Sequence, residues 1–101
     1  MAPKAEPELL AHRSLTAMSE RFGDETVVLE PSSDRYVRLN ANGSRLWERL
    51  KTPLSVAELA AMLAGEWRLK PERAHADVLA FVDFLVERGL IELRPRSSSG
   101  G

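Results

Sequence analysis

The sequence has no cysteine among its 101 residues, which excludes disulfides, thiolate metal sites and cysteine nucleophiles together and fits a reducing, cytoplasmic setting. Histidine is nearly as scarce, with His12 and His75 alone. Neither lies near a serine-nucleophile pattern, and His75 and Asp77, two positions apart on a helix, diverge instead of converging on a metal. Glycine is thin where a phosphate cradle would need it, since Gly43 stands alone between Gly23 and Gly65. Excess charge is missing too: 14 basic residues face 15 acidic ones, a net charge of −1, which removes the electrostatic case for nucleic acid or an anionic membrane as partner. The first residues mix Lys4, Glu6 and Glu8 with two prolines, so they resemble neither a signal peptide nor a membrane span. These absences predict a non-enzymatic chain without cofactor or metal.

What is present is enough for one small core, with 44% hydrophobic residues. Residues 1–13 read as a flexible arm, 14–94 as the domain, and 95–101, rich in Arg, Ser and Gly, as a flexible tail. Residues 25–30 (ETVVLE) and 35–40 (RYVRLN) are strand-like and separated by Pro31, Ser32, Ser33 and Asp34, which is a hairpin signal. A weaker strand over residues 15–21, before the Phe22-Gly23-Asp24 turn, completes an N-terminal three-stranded antiparallel sheet. Alternation puts Val37 and Leu39 on one face and Tyr36 and Arg38 on the other.

After Asn40, a fitting N-cap, the period lengthens to that of a helix carrying Leu46, Trp47 and Leu50, and Pro53 limits its extent. Gly43, one turn before Leu46 and Trp47, suits close packing. Ser55 and Glu58 have capping-box spacing, and Leu54 can staple onto Leu59, so a second helix starts here and runs towards Trp67. Trp67 either packs under the end of that helix or offers an apolar patch to a partner. A third helix runs from Pro71, favoured in a first turn, to Arg88, with Gly89 as its left-handed cap and Leu90 folding back on Leu85 or Phe84. A short extended segment follows at Leu90 to Leu93. The predicted class is α+β, winged helix-turn-helix-like, with three helices after the sheet.

On a helical wheel Ala74, Val78, Phe81, Val82 and Leu85 occupy the centre of the third helix, flanked by Leu79 and Val86 on one side and Phe84 on the other. The apolar arc is roughly 220° wide, about twice what one core requires. Either the helix is covered on both sides by its own domain, or one flank meets the other helices while the second lines a groove beside the RYVRLN strand; the pattern does not say which flank. DNA reading by this helix is the competing use of such a fold. Between Pro71 and Arg88, however, Glu72, Asp77, Asp83 and Glu87 outnumber Arg73 and Arg88, the wrong sign for phosphate contact.

Taken in order, VVLEPSSDRYVRLN, NGSRLWERL, SVAELAAML and DVLAFVDFLVERGLI resemble the PqqD-like family of RiPP precursor-peptide recognition elements, over about residues 25–91. The strand RYVRLN followed by NGSRLW looks most like the stand-alone leader-binding proteins of lasso-peptide biosynthesis. The resemblance implies a peptide chaperone that receives a precursor's leader as an antiparallel strand on the third strand, its apolar side chains entering a groove against the third helix. Implied contacts are Arg35, Tyr36, Val37, Arg38 and Leu39 from the strand and Asp77, Val78, Phe81, Phe84 and Leu85 from the helix, with Asp77 meeting a basic leader residue and Arg35 or Arg38 an acidic one. Implied partners are a transglutaminase-like cysteine protease that removes the leader and an ATP-dependent lasso cyclase. A PqqD-type chaperone working with a radical SAM enzyme in pyrroloquinoline quinone biosynthesis is the nearest alternative.

Overall fold

Among the described residues every strand pairing is antiparallel, and the strands divide between two sheets. The computed structural model describes residues 9–95. In sequence order the elements are β1 (Leu9–Arg13), β2 (Met18–Phe22), β3 (Glu25–Glu30), β4 (Arg35–Leu39), α1 (Ala41–Arg49), β5 (Leu54–Ser55), α2 (Val56–Trp67), α3 (Pro71–Glu87) and β6 (Ile91–Pro95). One sheet has the order β2-β3-β4, the other β5-β1-β6. The three-stranded sheet and three helices expected from the sequence are therefore present, with its first strand at residues 18–22, later than the predicted 15–21.

The second sheet was not foreseen. Of the expected arm over residues 1–13, residues 1–8 lie outside the described residues, but Leu9–Arg13 is a strand between two others. It pairs with β6 in the register Ala11↔Leu93 and with β5 at Ala11↔Leu54. Ala11 is fully buried, and its small side chain lets this strand lie against the helices. Pro95, assigned to the tail by composition, ends β6, and 96–101 fall outside the described residues. Arg13 ties this sheet to α1: its guanidinium lies 4.5 Å from the Trp47 ring centroid and donates to the Trp47 carbonyl at 2.6 Å.

Local chemistry fixes the helix ends. Asn40 follows β4 directly and its side chain accepts from the Gly43 amide at 2.8 Å, so the strand turns into α1 without a linker. At α2 the Ser55 amide donates to Glu58 Oε1 at 2.8 Å and the Glu58 amide to Ser55 Oγ at 3.0 Å, a complete capping box. Past α3, Gly89 has φ +76°, which only glycine adopts cheaply; the Leu90 amide reaches the Leu85 carbonyl and the Gly89 amide the Val86 carbonyl, each at 3.0 Å. These two bonds make a Schellman closure that delivers Leu90 into the core.

That core joins Val28 and Leu39 of the first sheet, Trp47 and Leu50 of α1, Leu59 and Leu63 of α2, and Val78, Val82 and Leu85 of α3. Trp47, Leu50, Leu59 and Leu63 are thus core residues, as the sequence predicts. Burial of each aliphatic residue in this set contributes about 1.5–3 kcal/mol. Between β3 and β4, the Glu30 carboxylate caps the turn: it accepts from the Thr16 hydroxyl at 2.7 Å and the Ser32 hydroxyl at 2.7 Å. Those donors, Ser32 foremost, hold the Glu30 carboxyl below its usual value.

Candidate functional site

Because β4 is last in the order β2-β3-β4, its outer edge has no strand partner among the described residues. The register Val28↔Val37 and Thr26↔Leu39 turns Val37 and Leu39 inwards, so Arg35, of the same parity, shares their side. Tyr36 and Arg38 point the other way. Tyr36 is 70% exposed, and Arg38 lies 3.8 Å from Glu25. The strand thus presents an open backbone edge with an apolar inner row ending in an arginine.

Cavities walled by α3 lie at both ends of this strand, and at the Arg35 end one lined by Arg35, Glu87 and Arg88 also carries Glu30 and Glu92. Beyond the Leu39 end, one of about 420 Å³ is lined mainly by Gly43, Leu46, Trp67, Phe81 and Phe84, with Asn40 and Asp77 at its rim. At the Arg35 end, a second of about 420 Å³ is bounded by Arg35, Tyr36, Glu87, Arg88 and Leu90. Phe84 lies one helical turn from Arg88, whose guanidinium stacks 3.7 Å from the Phe84 ring centroid and donates to the Phe84 carbonyl at 3.0 Å. Asp77, Phe81 and Phe84 of α3 thus line the first cavity, and Arg88, just past its end, lines the second.

Burial separates the surfaces of α3. Ala74, Val78, Val82 and Leu85 are fully buried, Leu79 and Val86 pack against the core, and Phe81 is half-buried while Phe84 keeps 42% of its surface exposed. Val78 and Leu85, expected above as contacts, are fully buried in the core of the unliganded fold. Tyr36 and Arg38 point to the outward face of the sheet, although Tyr36 also bounds the cavity at the Arg35 end. Asp77 lines the apolar cavity, its charge already engaged by Arg73 at 3.2 Å.

Several lining residues were not among the expected contacts. The close packing expected at Gly43 is present: a Cβ there would stand 3.3 Å from Leu39 Cβ and 3.4 Å from Phe81 Cε1, so its missing side chain lets the Phe81 ring approach α1. Trp67, left open between two readings, is half-buried and helps line the cavity. Arg88 reads in sequence as a helix terminus, and only the fold brings it beside Arg35. His12 is held by β1 near Glu92 at 3.8 Å, and no cluster of three or more His, Asp or Glu suited to a metal occurs among the described residues. No helix among them is long and apolar enough to cross a membrane.

A small α+β domain that leaves one antiparallel edge open beside an aromatic helix flank is the class that fold and groove define. The protein belongs to the family described as Coenzyme PQQ synthesis protein D (PqqD), which matches residues 25–91, more than half its length. Among solved structures it is similar to "TbiB1 in Complex with the TbiA(beta) Leader Peptide", at 25% identity and a TM-score of 0.73, over 80% of this protein and 94% of that one. It is also similar to "Lasso peptide synthetase B1 complexed with the leader peptide", at 24% identity and TM-score 0.69, over 81% and 96%. A third likeness is the PqqD truncation of Methylobacterium extorquens PqqCD, solved by solution NMR and described as a functional, stand-alone RiPP recognition element, at 18% identity and TM-score 0.68, over 82% and 88%. No curated protein matches the sequence.

Proposed function

We propose that this protein binds the leader segment of a ribosomally made, lasso-type precursor by strand addition to β4, and presents it to a leader protease and a cyclase. The observation that carries this reading is the open edge of β4, with the Phe81–Phe84 flank of α3 lining the cavity beyond its Leu39 end. Strand addition satisfies backbone donors and acceptors whatever the peptide's sequence, while alternate side chains entering the groove supply selectivity. Membership of the PqqD family and the likeness to B1 proteins solved with leader peptides support it.

In this mode Arg35, Val37 and Leu39 meet the inward side chains of the peptide, and Phe81, Phe84 and the rim residue Asp77 form the opposite wall. Tyr36 and Arg38 contribute backbone and flank the outward side chains; Val78 and Leu85 hold the wall from beneath. The protein acts as a cytoplasmic adaptor with no chemistry or cofactor of its own, and the transglutaminase-like protease and ATP-dependent cyclase are separate proteins. Fluorescence anisotropy with the leader of the precursor encoded beside this gene tests the proposal: saturable binding at micromolar protein is expected, and its absence rejects it.

Family membership equally favours a PqqD-type chaperone serving a radical SAM enzyme, which neighbouring genes for that enzyme in place of a protease and cyclase would support. The winged helix-turn-helix comparison would instead press α3 against DNA, where Glu72, Asp77, Asp83 and Glu87 meet phosphates of the same sign. A titration with duplex DNA that stays flat across low salt removes that use.

A further inference from the structure

Two of the arginines near the groove have no ion-pair partner among the described residues, and both stand at one end of it. Arg35, on the inward row of β4, and Arg88, at the end of α3, bound the same cavity. Most other charges nearby are engaged: Arg38 lies by Glu25 on the outward face, Asp77 is paired with Arg73, and the Glu30 carboxylate accepts from Thr16 and Ser32, while Glu92, 3.8 Å from His12, lines an adjoining cavity with both arginines. The end of α3 is not left negative either, because the Leu85 and Val86 carbonyls accept the closing amides and the Phe84 carbonyl accepts from Arg88. Glu87 is the one competing carboxylate at this cavity with no ion-pair partner among the described residues.

We infer that Arg35 and Arg88 form a carboxylate-binding end of the groove, selecting peptides in which an acidic residue follows the apolar anchor. The inference rests on the peptide reading above and fixes both charge and position. A strand antiparallel to β4 starts by the apolar cavity at Leu39 and ends by Arg35. Only alternate side chains face inwards, so the residues opposite Leu39, Val37 and Arg35 lie at successive steps of two along the peptide. An aromatic or large apolar residue opposite Leu39 is thus followed four residues later by the acidic one opposite Arg35. Arg88, held by its stacking on Phe84, approaches that carboxylate from the helix side and makes a two-sided clamp with Arg35.

The test uses short fluorescein-labelled synthetic peptides that share an apolar anchor and carry Glu, Gln or Lys four residues after it, titrated against the full-length protein by anisotropy. The wild type is expected to favour Glu over Gln by about ten-fold and to disfavour Lys further. In the Arg35→Gln/Arg88→Gln double variant the preference should collapse towards equality, with a circular dichroism spectrum and melting transition like those of the wild type reporting an intact fold. Glu87→Gln, by removing the competing carboxylate, should strengthen binding of the Glu peptide alone. Equal binding of Glu and Gln peptides by the wild type, or a preference that survives the double variant, overturns the inference and leaves strand addition standing. Failure of every peptide to bind overturns both.

Discussion

Gly43→Ala tests the packing that shapes the groove, because helix propensity and sterics pull in opposite directions there. In an exposed helix interior the change stabilises by about 0.5–1 kcal/mol. Here the new methyl would stand 3.3 Å from Leu39 Cβ, 3.4 Å from Phe81 Cε1 and 3.5 Å from Asn40 Oδ1. Leu39 Cβ is bonded to the β4 backbone and its side chain is buried, so it yields only if the strand moves; Asn40 is engaged in capping α1. The Phe81 ring is the part able to shift, and the open direction is the groove. Overpacking costs about 1–3 kcal/mol, more than the propensity gain, so a net loss of about 1 kcal/mol is expected. For a domain this size that lowers the melting temperature by about 4–8 °C, measured by circular dichroism. Leader affinity, measured by anisotropy below the melting transition, should fall as well, because the displaced ring occupies the space intended for the anchor. A variant that melts higher than wild type, or that binds leader undiminished, refutes the reasoning.

Other outcomes follow from the same geometry. Phe84→Ala should weaken leader binding by about ten-fold while the fold survives, as befits a half-exposed aromatic anchor. Val78→Ala should lower stability by roughly 2 kcal/mol in urea titrations and leave the affinity of the folded protein unchanged, since the residue is fully buried. Ser55→Ala breaks the capping box and should cost about 1 kcal/mol in chemical denaturation without affecting binding. The lowered pKa of Glu30 stabilises the fold above the unfolded value of about 4.3, and this contribution disappears as pH falls through the lower folded value. Glu30→Gln should therefore be less stable than wild type near pH 7 and show a shallower loss on acidification below about pH 4; a parallel decline in the two proteins would contradict the assignment.

Where the sequence was legible, the governing chemistry was local. Ser55 with Glu58, and Gly89 with Leu90, satisfy backbone groups within a turn of themselves, so their spacing alone predicts a helix start and a helix end. The hairpin of β3 and β4 is likewise written in its turn residues. By contrast, β1 is made a strand by β6 at the opposite end of the described residues, and nothing within Leu9–Arg13 signals that pairing. Composition sees only a short mixed segment.

The groove was half legible for a related reason. A wide apolar arc on α3 counts the surfaces to be covered, but which flank stays open depends on what packs opposite each one. Val82 and Leu85 are enclosed by the body of the domain, whereas Phe81 approaches the one position of α1 that lacks a side chain. The wheel did contain part of the answer: Ala74, Val78, Val82 and Leu85 at its centre are fully buried, while Phe81, also central, and Phe84 at the margin keep exposed surface. Arg88 marks the limit of this reasoning. As the last residue before a capping glycine it already has a local explanation, and its place in one cavity with Arg35 emerges only when the hairpin of β3 and β4 is folded. Residues with a sufficient local role are thus where sequence reading is most prone to stop early, and an unpaired charge across a groove is the signal that it has.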